Sequence, residues 1–189
     1  VGPRVAQRFG RVLLELGGNN AAIVTPSADL DLAVRGIVFS AAGTAGQRCT
    51  SLGTVIVHES LHDEFVARFT KAVESAAVGD PFEDVLMGPL LDQKFATRYE
   101  AFLGWVQPHH TVYGATGRID RGNARAGFIG EAEAGLFYHP VVVDGVRPGD
   151  AIFDEETFGP IVGIATYSTF VQAIDLANAP GYGLSSAIY

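Results

Sequence analysis

The sequence predicts an α/β domain in which a largely parallel sheet is flanked by helices. Apolar runs typical of strands alternate along the chain with segments whose apolar residues recur at helical spacing. Glycine or proline separates most of these segments, as expected at the turns between them. The 189 residues are enough for one sizeable domain with a hydrophobic core.

The individual elements follow from these patterns. Buried strands are predicted at residues 12–16 and 21–24, and further strands at 54–58, 112–113, 137–143, 161–167 and 185–189. Helices are predicted at residues 3–9, 29–41, 60–76, 93–106 and 169–178. Residues 116–135 are rich in Gly, Ala and Arg and are predicted to form an exposed loop or insertion.

Composition and charge argue against several classes of protein. A net charge of −8 with only two lysines leaves no basic patch, so neither nucleic acid nor an acidic membrane surface is an expected partner. No apolar run approaches the roughly 20 residues that cross a bilayer. A single cysteine cannot form an internal disulfide, so a cytoplasmic location is the default expectation. No metal site is predicted.

Cys49 is the candidate nucleophile. It follows a buried helix and adjoins Arg48, whose charge favours the thiolate that attacks a carbonyl carbon. Gly43 and Gly46 would let the backbone approach a ligand and direct amide N–H groups at a developing oxyanion. From these residues alone, an inert loop cysteine remains the alternative.

Glu15 is the candidate general base. It lies within the apolar run 12–16, where burial makes a charge costly and suits a carboxylate that accepts a proton near neutral pH. A Glu that faces solvent on an edge strand is the alternative.

Glu156 and Phe158 form a third candidate feature. They precede Gly159-Pro160, which makes a rigid turn that presents a carboxylate and a ring together. A carboxylate accepts hydrogen bonds from ribose hydroxyls, and an aromatic ring supports a flat nicotinamide. Surface turns with Glu and Phe are common, so the feature is weak in isolation.

Together, these segments resemble the three hallmark motifs of the aldehyde dehydrogenase superfamily, in the same order. They are Glu15-Leu16-Gly17-Gly18-Asn19, Gly46-Gln47-Arg48-Cys49-Thr50 and Glu156-Thr157-Phe158-Gly159-Pro160. The 34-residue interval from Glu15 to Cys49 is also typical of the family. The resemblance covers essentially the whole chain and includes Gly88-Pro89-Leu90 and Tyr182-Gly183-Leu184.

The resemblance implies an aldehyde dehydrogenase-like catalytic domain that is truncated at both ends. Residues 1–16 would be the tail of an upstream dinucleotide-binding domain, and residues 17–189 the catalytic domain without its C-terminal end. The implied cofactor is NAD, and NADP stays open because the residues that discriminate the two would lie upstream. The implied substrate is a small-molecule aldehyde, and the full-length protein is expected to be a homodimer or homotetramer.

The resemblance also assigns roles to residues. Cys49 would form a thiohemiacetal and then a thioester, with the oxyanion held by its backbone N–H and by a family Asn that would lie upstream. Glu15 would activate the water that hydrolyses the thioester. The cofactor would be bound by Leu16, Glu156 and Phe158.

Within the superfamily, residues 14–20 and 43–50 are most similar to the antiquitin-type enzymes. Those enzymes oxidise α-aminoadipate semialdehyde, whose ring-closed form is piperideine-6-carboxylate. In that group the Arg before the nucleophile holds the substrate carboxylate, and Arg48 stands at that position, with Thr50 also at the substrate end. A guanidinium recognises carboxylates well, although an Arg48 that faces away and pairs structurally is the alternative.

The chain departs from the family pattern in two places. The interval from Cys49 to Glu156 is 107 residues, which is longer than usual, and the surplus is assigned to residues 125–135. Thr54 stands where the family commonly has an Arg. Two other interpretations remain: a thiol hydrolase that pairs Cys49 with a histidine, and a structural fragment that is inactive outside the whole protein.

Overall fold

The computed structural model describes all 189 residues. Its helices are α1 (Gly2–Ala6), α2 (Leu30–Ala42), α3 (His62–Ser75), α4 (Gln93–Leu103), α5 (Ala151–Asp154) and α6 (Phe170–Asn178). Its strands are β1 (Asn20–Val24), β2 (Leu52–His58), β3 (Thr111–Tyr113), β4 (Val141–Asp144), β5 (Ile161–Tyr167) and β6 (Ser186–Ile188). None of the helices combines the length and the apolar character that crossing a membrane requires.

The strands form one sheet in the order β3-β4-β5-β2-β1-β6. Every neighbouring pair is parallel except β3 and β4, which are antiparallel. The predicted α/β fold with a largely parallel sheet is therefore confirmed. Because β5, β2 and β1 are adjacent and parallel, the segments that lead into them lie at the same edge of the sheet.

Helices cover both faces of the sheet. In β2, Val55 and Val57 pack with residues of α2 and α3, whereas Ile56 packs with α6 on the opposite face. Helices α4 and α5 pack on that second face, against β4 and β5. Successive side chains of a strand point to opposite faces, so a sheet covered on both sides requires the continuous apolar runs seen in the sequence.

Residues 12–16 do not form the predicted buried strand. They are irregular and exposed, and no backbone hydrogen bond joins residues 11–17 to any other residue. A strand needs a neighbour that completes its hydrogen bonds, and none of the six strands pairs with this segment. Leu13 and Leu16 are 85% and 66% exposed. The expected burial of Glu15, within the same segment, is wrong for the same reason.

The predicted strand at 137–143 is shorter than expected. Phe137 and His139 pair with residues 117–119 instead of the sheet, since the Phe137 carbonyl accepts from Ile119 N–H at 2.8 Å and His139 N–H donates to the Gly117 carbonyl at 3.0 Å. Pro140 has no N–H to donate, and β4 begins after it.

Residues 116–135 form the predicted loop, and all of them except Ile119 are exposed or half-buried, but the loop is anchored to the domain. They contain one short 3-10 turn, Ala132–Ala134, and no longer element. Ile119 is 1% exposed and belongs to the core under α4. Arg125 reaches the end of α3 and donates to two carbonyls of its last turn and to that of Ala76, which follows the helix. A segment without helix or strand is thus held by a buried apolar side chain and a charged cap.

Candidate functional site

Three loops meet at the amino edge of the sheet. Residues 15–19 lead into β1, residues 46–50 into β2 and residues 156–160 into β5, and these strands are neighbours. The first and third loops are joined by Gly18 N–H, which donates to Glu156 Oε1 at 3.0 Å. The structure therefore brings together the three segments that the sequence singles out.

Cys49 is half-buried in a turn at residues 48–51. Ser51 closes the turn, because its N–H donates to the Arg48 carbonyl at 2.9 Å and its Oγ accepts from Arg48 N–H at 3.1 Å. Asn20 Nδ2 donates to the carbonyls of Cys49 and Ser51 at 2.8 and 2.7 Å. Neither the thiol nor the backbone N–H of Cys49 has a hydrogen-bond partner in the chain.

The loop before Cys49 turns through three consecutive left-handed residues. Thr44, Ala45 and Gly46 have φ values of 56°, 54° and 66°. Only glycine fits at the third position, because a Cβ on Gly46 would lie 2.2 Å from the carbonyl oxygen of Gly159. Gly46 thus allows the second loop to approach the third loop, whereas the sequence predicted an approach to a ligand.

Glu156 is fixed through its main chain and its side chain. Its Oε1 accepts from Gly18 N–H, its carbonyl accepts from the Arg98 side chain, and its Oε2 accepts no hydrogen bond within the chain. Phe158 has a φ of 51°, and its ring packs on Phe95 with the centroids 5.3 Å apart. A carboxylate oxygen and a half-buried ring are therefore presented together.

Glu15 and Leu16 lie in the irregular segment that precedes β1. The Glu15 carboxylate is exposed and takes part in no ion pair. The Leu16 side chain is 66% exposed. Neither side chain is buried within this chain, and both roles stay predictions.

Arg48 is held by an aromatic ring and not by a carboxylate. Its Cζ lies 5.3 Å from the centroid of the Phe39 ring, which is a cation–π contact. Its Nε is buried without a hydrogen-bond partner, and Arg48 takes part in none of the ion pairs. A buried donor that lacks a partner is costly. Arg48 therefore has no anionic partner within the chain, and Thr50 is exposed two residues beyond it.

No histidine pairs with Cys49. The five histidines have other hydrogen-bond partners: His58 with Ser60, His62 with Asp63 and Asp144, His109 and His110 with Asp150, and His139 with the Asn123 carbonyl. A thiol hydrolase would need one of them as the base beside the nucleophile. The arrangement gives this alternative no support.

One cluster contains the atom types of a metal site. The donor atoms of His109, His110 and Asp150 lie within 4.8 Å of one another. Both Nε2 atoms are 3.0 Å from Asp150 Oδ2, and His110 Nδ1 accepts from Gln107 N–H at 3.0 Å, which places the His110 proton on Nε2. Burial raises the pKa of Asp150, but the hydrogen bonds from the imidazoles lower it below its usual value. Hydrogen bonding therefore accounts for the cluster.

Two amide side chains of the site are absent from the sequence-based candidates. Asn20 is 4% exposed and holds the Cys49 turn. Gln47 connects its own loop to a distant one, because its Nε2 donates to the carbonyls of Thr44 and Pro89 at 3.3 Å and its Oε1 accepts from Leu91 N–H at 2.8 Å. The available signal for Asn20 is a polar residue directly before a buried apolar run.

Comparisons with known proteins agree with this arrangement. The family 7 member A1 aldehyde dehydrogenase of Malus domestica is 36% identical over 98% of the chain, and a 1-pyrroline-5-carboxylate dehydrogenase of Staphylococcus haemolyticus is 32% identical over 94%. The chain spans about a third of the length of these relatives, 34% and 32% respectively.

A solved structure of betaine aldehyde dehydrogenase from Staphylococcus aureus in complex with NAD+ is similar to the whole chain. The TM-score is 0.86 at 29% identity, and the match covers 100% of this chain and 36% of that chain. The model of the aldehyde dehydrogenase family matches residues 1–189. The family that the three motifs predict is therefore confirmed: the chain belongs to the aldehyde dehydrogenase family.

Proposed function

We propose that the full-length protein is an NAD-dependent aldehyde dehydrogenase that oxidises an aldehyde to a carboxylic acid, and that this chain supplies its nucleophile. The observation that carries the proposal is the meeting of three loops around Cys49, whose thiol and N–H have no other partner. Residues 1–16 are assigned to the end of a dinucleotide-binding domain and residues 17–189 to the catalytic domain. The full-length protein is proposed to be a homodimer or homotetramer.

The residues of the site fit the nicotinamide end of NAD. Gly18 N–H occupies only Oε1 of Glu156, so Oε2 remains to accept hydrogen bonds from ribose hydroxyls. The Phe158 ring, supported by Phe95, offers an apolar surface to a flat ring. When bound, NAD supplies the hydride acceptor. These contacts suit NADP equally well.

Cys49 carries the covalent chemistry. Its thiolate attacks the aldehyde carbon, and the free Cys49 N–H donates to the oxyanion that develops. Loss of a hydride from the carbon of this thiohemiacetal leaves a thioester on Cys49. Glu15 takes a proton from the water that attacks the thioester, and the carboxylic acid leaves as the Cys49 thiolate is restored.

The proposed substrate carries a carboxylate of its own, as α-aminoadipate semialdehyde does. Arg48 supports this choice, because its guanidinium adjoins the nucleophile and forms no ion pair within the chain, with Thr50 exposed beyond it. One relative is a family 7 member A1 enzyme, which is the antiquitin type, and another is named for 1-pyrroline-5-carboxylate. A second candidate function is an aldehyde dehydrogenase with a different substrate, and the similarity to the solved betaine aldehyde dehydrogenase favours it.

Turnover by the full-length protein tests both parts of the proposal. We expect NADH formation with α-aminoadipate semialdehyde to be much faster than with hexanal, and we expect Cys49→Ala to abolish both reactions. Substantial activity in Cys49→Ala would contradict the role of Cys49. Equal turnover of hexanal would leave the dehydrogenase in place and rule out the substrate. No NADH from any aldehyde would favour a structural role for the chain.

A further inference from the structure

We infer that Asn20 is a positioning residue for the Cys49 nucleophile, an inference that rests on the proposed function. Asn20 is buried, and its side chain bonds to three backbone groups at once. Nδ2 donates to the carbonyls of Cys49 and Ser51 at 2.8 and 2.7 Å, and Oδ1 accepts from Ser185 N–H at 3.0 Å. Both hydrogens of the amide and its oxygen are used, so the orientation of the side chain is fixed.

These contacts determine where the main chain of the nucleophile lies. The carbonyls of Cys49 and Ser51 stand on either side of Thr50, and both point at the same amide. Rotation of the turn would leave two buried donors of Asn20 without acceptors, which is costly. Gly18 adds a steric limit, because a Cβ there would lie 2.4 Å from the Cys49 carbonyl oxygen. The loop before β1 therefore packs directly on the nucleophile's own peptide.

Asn20 also connects the nucleophile to the central sheet. It is the first residue of β1 and lies five residues after Glu15, and through Ser185 it holds the segment that enters β6. The Cys49 turn and the segment before β6 are thus anchored to the start of β1 at one point. A displacement of about 1 Å between reacting groups lowers a rate by on the order of 100-fold. Asn20 therefore controls the rate without touching the substrate.

The test compares Asn20→Asp and Asn20→Ala in the full-length protein. Asn20→Asp keeps Oδ1 for Ser185 but sets an acceptor against two carbonyls, and Asn20→Ala removes the amide. Asn178→Asp is the matched control, because that exposed amide donates to Ile174 O within α6 at 2.8 Å. The measurements are kcat, the KM for NAD, thermal stability, and the pH profile of Cys49 alkylation by iodoacetamide, followed on the Cys49 peptide by mass spectrometry.

We expect kcat to fall on the order of 10- to 100-fold in both Asn20 variants, with the KM for NAD at its wild-type value. The pH profile of Cys49 alkylation should differ from that of the wild type in both Asn20 variants, whereas Asn178→Asp should have the wild-type profile. If Asn20→Asp does not fold, the same measurements on Asn20→Ala test the inference. A folded Asn20 variant with wild-type kcat and alkylation overturns the inference, as does a loss of thermal stability alone.

Alkylation requires neither aldehyde nor cofactor, so it tests the position of Cys49 independently of turnover. Failure of the proposed function would instead appear in the wild type, as an absence of NADH formation.

Discussion

The Arg48 guanidinium makes a cation–π contact with Phe39 and forms no ion pair within the chain. Arg48→Lys keeps the charge but loses the planar group that stacks on Phe39 and meets a carboxylate through two hydrogen bonds. We expect the KM for α-aminoadipate semialdehyde to rise roughly tenfold, since a charge-assisted hydrogen bond contributes about 1.5 kcal/mol or more. Turnover of hexanal should be unchanged. Steady-state NADH formation measures both, and an equal change for both aldehydes would remove Arg48 from substrate recognition.

Glu15→Gln separates acylation from hydrolysis. The amide cannot take a proton from water, so we expect the first turnover to form NADH at the wild-type rate and later turnovers to slow by on the order of 100-fold. Stopped-flow absorbance would show this as a burst. Glu131→Gln, at another exposed glutamate, is the control. A variant without a burst and with a wild-type steady-state rate would contradict the proposed base.

At this scale, the sequence predicts loops better than it predicts the contacts between them. The segments around Cys49 and Glu156 are recognisable because glycine and proline mark them locally. Asn20 and Gln47 cannot be recognised from the sequence, because their amides form hydrogen bonds with backbone groups 29 and 42 positions away. No local sequence pattern indicates a partner at that separation. The burial predicted for Glu15 is wrong because it depends on a neighbouring strand that this chain does not provide.

Among the elements, α3 and β4 are joined by a titratable contact. His62 Nε2 lies 3.0 Å from Asp144 Oδ1, and His62 Nδ1 lies 2.9 Å from Asp63 Oδ1. Burial lowers the pKa of His62, but the two carboxylates outweigh it and raise the pKa above 6.5. A raised pKa means that the folded state binds the proton more tightly than the unfolded state does. The contact therefore stabilises the fold fully below pH 6.5 and loses this effect as pH rises through the folded-state pKa.

His62→Gln tests this pH dependence. We expect the variant to be less stable than the wild type below pH 6.5 and the difference to shrink as pH rises above the folded-state pKa. Thermal unfolding of both proteins across this range gives the difference directly, and other groups that titrate cancel in it. A difference that is constant with pH, or that grows as pH rises, would show that the two carboxylates do not set the protonation of His62.

The segment 116–135 stabilises α3 through Arg125. Its Nη2 donates to the carbonyls of Val73, Glu74 and Ala76 at 2.7, 2.8 and 3.1 Å, at the end of the helix, where carbonyls have no acceptor role in a further helical turn. We expect Arg125→Ala to lower the free energy of unfolding by about 2 kcal/mol. Urea denaturation measures this, with Arg121→Ala as the control because the Arg121 side chain is 88% exposed. Equal effects of the two substitutions would show that the cap contributes nothing specific.

Over the whole molecule, the alternation of strand and helix predicts the α/β fold, but it does not give the strand order. That order, with β2 between β1 and β5, brings the Glu156 loop to the Cys49 loop across 107 positions of sequence. Strand order depends on how strands and helices that are distant in sequence pack together, and the local periodicity of apolar residues does not predict it. The site was predicted through the resemblance of its three motifs to a family, and the parallel strands explain why those motifs meet.

The proposed division of the chain at residue 16 makes a prediction about backbone protection. Within this chain, residues 11–17 form no backbone hydrogen bonds, and the side chains of Leu13 and Leu16 are largely exposed. If residues 1–16 complete a dinucleotide-binding domain, another strand of the full-length protein supplies the missing partners. Hydrogen exchange should then be slow at residues 12–16 in the full-length protein, as it is expected to be in β1, which is paired on both sides. Exchange at the rate of an unfolded peptide would place residues 12–16 outside any sheet and contradict the division.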